Sequence, residues 1–474
     1  MRLFVAGIMI KKDLRTRLRS YRHTDMLYRM IFLQCLLSVS AAFPLIANAQ
    51  DTSDTSDITL LGGELTSFLP FASVLQVAAP NVVGTQSQQR QLEGFSLFHT
   101  KRVPETGLGP HFIHESCGAC HIQNGKGPVR INRGRKSAMV IKLGHRGVTE
   151  TGAPRQISGF EEQMKVQFTR QQRQNRALRF RRLPRLRWRS LIGTYPDGTS
   201  FSLRRPNLRF RLKGIPKQDT VFSLRMSPGL VGLGLLEAIP EEQILAWSDP
   251  EDVNGDGISG VPQYVPNRAT GNFELGRFGA RGSHPTLQQQ TAAAAFHDIG
   301  LTNTLFPDAN GSIELEDDDL ETLTLYQALG GVPPARDQEE PTVIAGKYLF
   351  QTAGCHDCHK MTVTTSEDYH IEPLQGQTIH PFTDLLLHDM GEDLADERAE
   401  FSASGREWRT SPLWGLGHLE AISFIEQRYL HDGRARSLEE AILWHGGEAA
   451  GSRSTFMNFS AEERTQLIAF LRSL

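Results

Sequence analysis

One five-residue pattern occurs twice in this sequence and carries its clearest chemistry. The two copies are Cys117-Gly-Ala-Cys120-His121 and Cys355-His-Asp-Cys358-His359. Each copy places two thiols at positions i and i+3, where they can add across the two vinyl groups of one haem, and a histidine that can bind the iron follows directly. The spacing therefore predicts two covalently bound c-type haems, with His121 and His359 as iron ligands.

Zinc sites or redox dithiols are the alternative interpretation of two Cys-x-x-Cys motifs. Neither alternative requires a histidine directly after the second cysteine. Four of the five cysteines lie in the two motifs, and the fifth, Cys35, lies in an N-terminal apolar run that we expect to be removed. No thiol is then left over, so we expect no disulfide framework in the mature chain, although its compartment would permit one.

The first 49 residues are typical of a secretory signal peptide. An apolar run from Met30 follows a basic lead, and Ala47-Asn-Ala before Gln50 has the form of a cleavage site. A retained membrane anchor is the alternative, but a proline and polar residues interrupt the run. The basic lead is long, so either Met1 or Met26 is the start. We expect a periplasmic mature protein that begins near Gln50.

Removal of this signal makes the chain acidic. The remaining residues comprise 43 basic and 51 acidic side chains, a net charge of about −8. No later apolar run reaches the roughly 20 residues of a membrane span, so we expect no transmembrane span in the mature chain. Its length allows two or three domains of roughly 150 residues. Because the two motifs lie far apart in the sequence, we expect one haem in each domain.

Helices are predicted to position both motifs. Apolar residues recur at helical intervals from Gln91 before the first motif, and a similar segment from Ala345 precedes the second. Residues 50–90 are rich in Asp, Ser, Thr and Gln, which predicts a flexible lead-in. We therefore predict a first haem domain over residues 91–335 and a second over residues 336–474.

A segment at about 165–225 interrupts the helical pattern. Residues 165–189 contain ten Lys or Arg and no acid, and apolar and basic residues partly alternate there, as in a half-exposed strand. The turn at Tyr195-Pro-Asp-Gly and the alternation from Ser200 predict an inserted hairpin or small sheet. We favour a solvated strand face over a docking surface for an acidic redox partner, and expect no nucleic-acid partner.

Several longer segments resemble one protein family. They include Leu-Val-Gly-Leu-Gly-Leu-Leu-Glu-Ala-Ile-Pro at 230–240, Glu-Trp-Arg-Thr-Ser-Pro-Leu-Trp-Gly at 407–415 and Leu-His-Asp-Gly-Arg at 430–434. In these segments the chain is similar to the bacterial di-haem oxidoreductases, also called predicted thiol oxidoreductases or peroxidases. The similarity extends to the first haem motif and to residues 107–110, 249–260, 275–279, 287–292 and 382–391. The likeness runs in order through nearly the whole mature chain.

The closing part of the chain is also similar to the bacterial di-haem cytochrome c peroxidases, through Phe382-Thr-Asp, Leu430-His-Asp-Gly-Arg and Leu438-Glu-Glu-Ala. This resemblance implies a mainly α fold, with two cytochrome c-like domains and the inserted small β-rich segment. The chain departs from the family pattern at Phe112-Ile-His, where Phe-Asn is common, and at Ala280-Arg, where an aromatic residue or Lys is common. Both departures fall near positions that could contact haem.

The sixth position of each iron decides between electron transfer and ligand binding. Met390 is the best thioether candidate in the second domain, because Met361 follows the proximal histidine too closely and Met457 lies among polar residues. A packed core methionine is an equal alternative for Met390. For the first haem, His145, Met139 or no protein ligand at all remain open.

Peroxide cleavage needs a group that takes a proton from one oxygen and gives a proton to the other. Glu237 is our first candidate, because desolvation in its apolar run would raise the pKa of the carboxyl group. A capping or salt-bridged glutamate is the alternative. His388 and His431 are candidate proton relays or propionate partners, or structural histidines. Arg434 and Arg409 are candidate propionate partners because arginine pairs with carboxylates.

A possible calcium loop lies between the two motifs. Asp252, Asn254 and Asp256, followed by Gly257, have the spacing of oxygen ligands in such loops. The twelfth loop position is Gln263 instead of Glu, so the full EF-hand pattern fails. A solvated Asp-Gly turn is the alternative.

Together, these patterns predict an exported di-haem c-type cytochrome with peroxidase-like oxidoreductase activity. One haem would relay electrons, and the other would meet peroxide or another small oxidant. A small redox protein would donate or accept the electrons. The alternatives are a non-catalytic electron-transfer cytochrome with two six-coordinate haems, and a haem oxidase that modifies a protein partner.

Overall fold

Two similar pairs of packed helices lie next to the two Cys-x-x-Cys-His motifs. The computed structural model describes residues 58–69, 74–129, 137–170, 179–422 and 426–474, and all of these ranges belong to one compact unit. The predicted signal peptide lies outside the described residues, and the division into two haem domains stays a prediction. No helix in the described part of the chain is long and apolar enough to cross a membrane.

The helices are mostly short. Their bounds are α1 Gln86–His99, α2 Leu233–Glu237, α3 Glu241–Ala246, α4 Leu287–Ala294, α5 Asp317–Ala328, α6 Pro341–Thr352, α7 Leu416–Ile422, α8 Leu438–Leu443, α9 Ala450–Asn458 and α10 Ala461–Ser473. A π-helical turn, Ala295–Ile299, continues α4. The first motif begins in the 3-10 turn Cys117–Ala119, and the second begins in the 3-10 turn Cys355–Asp357.

The strands form two-stranded antiparallel sheets. Their bounds are β1 His111–Phe112, β2 Met139–Gly144, β3 Gln167–Phe168, β4 Phe180–Thr194, β5 Ser200–Leu212, β6 Val221–Met226, β7 Tyr264–Pro266, β8 Phe273–Leu275, β9 Val363–Thr364, β10 Thr378–Ile379, β11 Leu387–Asp389 and β12 Glu407–Arg409. The pairs are β1 with β3, β2 with β6, β4 with β5, β7 with β8, β9 with β10 and β11 with β12.

The predicted fold class is wrong. Helices make up only 32% and strands 19% of the structure, which includes several small antiparallel sheets, so it is not plainly a mainly α fold of two cytochrome c-like domains. Most of these strands are two to six residues long. A strand of two or three residues is too short to show alternation in the sequence. The sequence pattern therefore underestimated the strand content.

A glycine allows close helix contact in each of the two helix pairs. A Cβ atom at Gly94 of α1 would lie 2.5 Å from the carbonyl oxygen of Thr322 in α5. A Cβ atom at Gly346 of α6 would lie 2.1 Å from the carbonyl oxygen of Gln466 in α10. Real Cβ atoms do not approach other atoms so closely, so both contacts require glycine.

A phenylalanine one helical turn after each glycine lies on the same helix face. The ring centroid of Phe98 lies 5.1 Å from that of Tyr326 in the first pair, and the centroid of Phe350 lies 5.4 Å from that of Phe470 in the second. The helix pairs α1/α5 and α6/α10 therefore share one packing pattern. This is an internal repeat that no obvious sequence similarity marks.

The long hairpin of β4 and β5 lies within the segment for which the sequence predicts a hairpin or small sheet. Its turn is closed by the Gly198 amide, which donates to the carbonyl oxygen of Tyr195 at 2.9 Å, with Gly198 at φ 86°. The buried Tyr195 ring packs in the main core and its hydroxyl donates to Glu439 at 2.6 Å. The hairpin tip is thereby fixed near α8.

Part of the predicted lead-in contributes to the main hydrophobic core. Leu61, Leu65 and Val74 are fully buried there together with residues of α6 and α10 such as Phe350 and Phe470. The first helix pair lies on a second core cluster that contains Phe98, Leu320 and Tyr326. Leu61, Leu65 and Val74 thus act as core residues although the composition of the predicted lead-in is polar.

A buried ionic cluster holds the loop between β11 and β12. Arg281 is fully buried and donates to Asp396 at 3.0 Å, while Arg225 donates to Glu400 at 2.8 Å. Arg398 also donates to Glu400. Burial by itself would raise the pKa of Glu400, but the surrounding positive charges hold that pKa well below its usual range. Glu400 is therefore a paired, ionised carboxylate.

Candidate functional site

The first motif presents a neutral, oriented histidine. The Nδ1 atom of His121 lies 3.0 Å from the carbonyl oxygen of Pro228. Because a carbonyl oxygen only accepts, Nδ1 carries the proton and Nε2 keeps its lone pair. Burial lowers the pKa of His121 to about 4, so the ring is neutral at pH 7. Ligating histidines commonly have this arrangement, with one ring nitrogen donating to the protein and the other facing the metal.

The second motif has the same geometry. The Nδ1 atom of His359 donates to the carbonyl oxygen of Phe382 at 2.9 Å, and burial lowers the pKa of His359 to about 4. Phe382 has a φ of 57°, which is rare for a bulky residue and marks a strained backbone position. This conformation directs the carbonyl group at the histidine. The ring centroid of Phe350 lies 6.4 Å from that of His359, and Phe98 lies 6.2 Å from His121.

The four motif cysteines fit haem attachment better than zinc binding. All four are free thiols, and burial raises the pKa of Cys117 and of Cys355 to about 12. Zinc requires thiolates, which such surroundings disfavour, whereas a thioether to haem is neutral and has no charge to desolvate. The neutral histidine beside each thiol pair supplies the nitrogen ligand that haem iron requires. The residues present therefore fit the group.

Contacts around the first motif fix its backbone. The Ser227 hydroxyl donates to the carbonyl oxygen of Cys120 at 3.0 Å and accepts the amide of Gly127 at 3.3 Å. The Tyr326 hydroxyl of α5 donates to the Asn124 side chain at 2.9 Å. Residues 227–228 thus hold both the motif backbone and the His121 ring.

His388 lies beside the second motif in a buried charged triad. Its Nε2 atom lies 2.9 Å from Asp384 Oδ2, its Nδ1 atom lies 2.6 Å from Glu448 Oε2, and Cys358 Sγ lies 3.6 Å from Nδ1. Burial acts to lower the pKa of His388, but hydrogen bonds to Asp384, Cys358 and Glu448 raise it to about 12. His388 is therefore an imidazolium with each ring nitrogen hydrogen-bonded to a carboxylate, and it connects β11 to Glu448.

The ligand atoms of Cys358, Asp384 and His388 lie within 4.8 Å of one another, as in a metal site. Cys358 also belongs to the second motif. Its sulfur cannot form a thioether to haem and remain a thiolate ligand of another metal. The two uses of Cys358 exclude each other.

Glu237 lies at the end of α2, apart from these contacts. Its Oε1 atom accepts the amide of Leu287 at 3.0 Å, and its Oε2 atom accepts the Tyr369 hydroxyl at 3.0 Å. Burial raises the pKa of Glu237. The carboxylate thus caps the start of α4, and it shares no hydrogen-bond partner with His388 in the described part of the chain.

An aspartate that the sequence analysis missed lies near the first motif. Asp298 is in the π-helical turn Ala295–Ile299, and its negative charge adds to burial in raising the pKa values of both Cys117 and Cys120. Its Oδ1 atom is buried and has no hydrogen-bond partner among the described residues, and burial raises the pKa of Asp298 to about 6. Isolated π turns often occur at functional sites. No spacing pattern in the sequence marks this residue.

The candidate sixth ligands have different surroundings. Met390 and Met457 are half-buried and pack on the main core. Met361 is buried, and its sulfur lies 3.9 Å from Gln351 Nε2. His145 donates from Nδ1 to the carbonyl oxygen of Asp219 at 2.7 Å in an exposed contact. Met139 lies in β2, inside a third core cluster. Ligation by any of these side chains stays a prediction.

The two arginines predicted to bind propionates differ in their partners. Arg434 forms a salt bridge with Asp432 at 2.8 Å, and its Cζ atom lies 4.7 Å from the centroid of the Trp444 ring. Arg409 is half-buried and donates to the carbonyl oxygens of Gly279 and Thr410, and desolvation lowers its pKa to about 10. These hydrogen bonds of Arg409 go to neutral oxygens, whereas Arg434 already pairs with a carboxylate. His431 stacks on Trp408 at a centroid distance of 3.6 Å.

In the predicted calcium loop, side-chain oxygens accept hydrogen bonds from backbone amides of the same loop. Asp252 Oδ1 accepts the Gly257 amide at 3.1 Å, and Asp256 Oδ1 accepts the Ile258 amide at 2.8 Å. Asn254 Nδ2 donates to Asp256 Oδ2 at 3.0 Å. These contacts are those of an exposed Asx turn. Calcium binding stays a prediction.

Comparison with known families agrees with this geometry. A family model described as "Di-haem oxidoreductase, putative peroxidase" matches residues 55–314 and 308–474. The chain belongs to this di-haem oxidoreductase family. The family name implies haem cofactors and suggests an oxidoreductase activity. No curated protein and no solved structure matches this di-haem oxidoreductase.

Proposed function

We propose that this di-haem oxidoreductase is an exported, periplasmic peroxidase-like enzyme with two covalently attached c-type haems. One haem relays electrons, and the other meets peroxide or another small oxidant. The observation that carries the proposal is the duplicated site: each motif joins two half-buried free thiols to a neutral histidine held by a backbone carbonyl. A small redox protein is the proposed electron donor.

When bound, the two haems supply one-electron redox chemistry at iron. His121 and His359 would supply a nitrogen ligand to each haem iron, and Pro228 and Phe382 fix the two rings through their carbonyl oxygens. The helix pairs α1/α5 and α6/α10 place one aromatic side chain against each histidine. The chain's own carbonyl groups and aromatic rings therefore fix the orientation of both histidines.

Asp298 is the side chain that best fits proton transfer near the first motif. Its Oδ1 atom has no hydrogen-bond partner in the part of the chain that the structure describes, and its pKa of about 6 allows it both to hold and to release a proton near neutral pH. Glu237 uses both oxygens to accept hydrogen bonds from Leu287 and Tyr369, and His388 holds its proton between two carboxylates. We therefore rank Asp298 above Glu237 and His388 for this role.

The test is peroxide turnover by haem-loaded protein with a reduced small cytochrome as donor. We expect a high-spin ferric signal in the resting spectrum, a change on adding peroxide, and turnover. Asp298→Asn should lower the turnover rate by about 10²–10⁴-fold, the usual contribution of a general acid–base group. Glu237→Gln, a matched amide substitution of the carboxylate away from the motif, should retain turnover if the ranking holds.

Two outcomes would contradict the proposal. Two purely low-spin haems without peroxide turnover would indicate an electron-transfer cytochrome. Oxidation of a protein partner without rapid turnover of peroxide by reduced cytochrome would indicate a modifying oxidase. Equal turnover by Asp298→Asn and the unaltered enzyme would remove Asp298 from the mechanism but leave the peroxidase assignment.

A further inference from the structure

One face of the β4/β5 hairpin consists mainly of arginine. Side chains alternate between the two faces of a strand, and residues directly opposite each other on paired strands share a face. Three directly opposed pairs contain arginine on both strands: Arg182 with Arg211, Arg185 with Arg209, and Arg189 with Arg205. We call these six residues, together with Arg187 opposite Asn207, the arginine face.

The other face of the hairpin packs on the protein. Leu186 and Leu208 are a directly opposed pair on that face, and both pack against the third core cluster. Arg204 on the same face donates to the carbonyl oxygens of Gly433 and Arg434, at 3.0 Å and 2.8 Å. The hairpin is thus attached through one face, and all seven residues of the arginine face are exposed to solvent.

The protein itself compensates little of the positive charge on the arginine face. In the part of the chain that the structure describes, Arg205 is the only one of the seven arginines in a salt bridge, which it forms with Asp393. The sole acid within residues 179–213 is Asp197, and it pairs with Arg464 at 2.7 Å. Like charges directly opposite each other on paired strands are destabilising. Folding stability therefore does not account for this arrangement, whereas an anionic partner does.

The charge distribution favours a small acidic protein over an extended polyanion as this partner. Residues 179–213 contain eleven cationic side chains, whereas the mature chain is acidic overall. A nucleic acid or an anionic membrane extends beyond the hairpin and would also meet the acidic remainder of the surface. At physiological ionic strength charges are screened beyond about 8 Å, so a small protein on the hairpin meets mainly the arginines. Guanidinium groups pair with carboxylates through two parallel hydrogen bonds.

The arginine face is also connected to the surroundings of the second motif. Arg205 pairs with Asp393, which lies in the loop that follows β11. His388 of β11 lies, through its Nδ1 atom, 3.6 Å from Cys358 Sγ of the second motif. A protein bound on the arginine face is therefore attached to a segment that contacts one of the two proposed haem sites.

We propose that the arginine face is the docking site of the electron-donating redox protein, and that this donor presents a cluster of carboxylates. The inference rests on the proposed peroxidase-like function and specifies the chemical class of its partner. It replaces the expectation of a solvated strand face that the sequence favoured. Complementary charges of this kind chiefly accelerate the encounter of two proteins and fix their orientation.

The test compares the haem-loaded unaltered protein with the triple variant Arg185→Gln, Arg187→Gln, Arg209→Gln. A reduced small cytochrome c of negative net charge is the donor, and a basic cytochrome c of similar size is the control donor. In stopped-flow mixing at low salt, the second-order rate with the acidic donor should fall about 10–10²-fold in the variant. The difference should shrink at high salt, where the charges are screened. The basic donor should not react more slowly with the variant.

A matched variant removes three cations elsewhere. The substitutions Lys101→Gln, Arg155→Gln and Lys217→Gln change the net charge by the same amount at exposed positions outside the arginine face. This variant should keep most of the rate with the acidic donor. Urea unfolding checks the fold of the arginine variant, which should be at least as stable as the unaltered protein because opposed like charges are removed.

Three results would overturn the docking site. The first is an equal rate of the arginine variant and the unaltered protein with the acidic donor. The second is tight binding of polyphosphate without binding of the acidic cytochrome, which would identify a polyanion site. The third is a dimer of the unaltered protein that becomes a monomer in the arginine variant, which would identify contact between two copies of the chain.

Peroxide turnover with a small-molecule reductant separates this inference from the proposed function. Turnover with that reductant, together with equal rates of both proteins with the acidic donor, would overturn the docking site alone. Absence of turnover with every reductant would overturn the proposed function. Titration calorimetry with the oxidised acidic cytochrome measures docking without turnover, and its binding should weaken in the arginine variant but not in the matched variant.

Discussion

Replacing Gly346 by alanine should push apart the helices that support the second motif. The added Cβ atom would lie 2.1 Å from the carbonyl oxygen of Gln466 and 2.7 Å from the Cβ atom of Phe470. Ordinary contacts at Cβ begin at 3.4 Å, so α6 and α10 must separate by about 1 Å. Such overpacking typically costs about 1–3 kcal/mol. The gain in helix propensity from Gly to Ala, about 1 kcal/mol, opposes this cost.

Gly451 in α9 provides the matched control. A Cβ atom there would meet no other atom within 4 Å, so Gly451→Ala should be neutral or should stabilise the fold by up to about 1 kcal/mol. Urea unfolding of both variants, followed by circular dichroism, measures the difference. A lower midpoint at an unchanged slope for Gly346→Ala is the expected result. Equal midpoints for the two variants would refute the close-contact argument.

Three further predictions concern the buried side chains of Glu400, Ser227 and Trp408. The pKa of Glu400 is depressed in the folded state, so its stabilising contribution is present above the unfolded pKa of about 4.3 and is lost as the pH falls further. Urea midpoints should therefore decrease below about pH 5, and less so in Glu400→Gln, which should already cost about 3–5 kcal/mol at neutral pH; a pH-independent midpoint in the unaltered protein would contradict this. Ser227→Ala removes two contacts of the first motif and should cost about 1–3 kcal/mol, measured by the same unfolding assay, whereas an unchanged midpoint would mean that the motif backbone does not need them. Trp408→Ala should cost about 3–5 kcal/mol, because the ring packs on His431 and lies 4.3 Å from Arg225 and 4.1 Å from Arg281; a loss below 1 kcal/mol would show that this stack is not part of the stable core.

Local patterns in the sequence were sufficient to find both motifs. The spacing of Cys117, Cys120 and His121 contains the chemistry within five residues, and helical periodicity indicated the helices before each motif. The turn at Tyr195 was likewise predictable, because Pro-Asp-Gly has strong turn preferences. Such features depend on neighbouring residues alone.

Features that depend on tertiary contacts were missed. Asp298 has no signature spacing, and its surroundings are assembled from segments far apart in the chain. The two-residue strand β1 forms because a distant segment, β3, supplies its hydrogen bonds. The capping role of Glu237 was one of two alternatives in the sequence, and only the positions of Leu287 and Tyr369 showed which groups its carboxylate meets.

The haem content of the mature chain tests the central claim most directly. The protein should be produced in a host that attaches c-type haem, denatured, and examined by pyridine haemochrome and intact mass. The account predicts two haems that remain with the denatured chain, and one in the double variant Cys117→Ala, Cys120→Ala. A mass equal to that of the bare polypeptide, with no haemochrome, would contradict it.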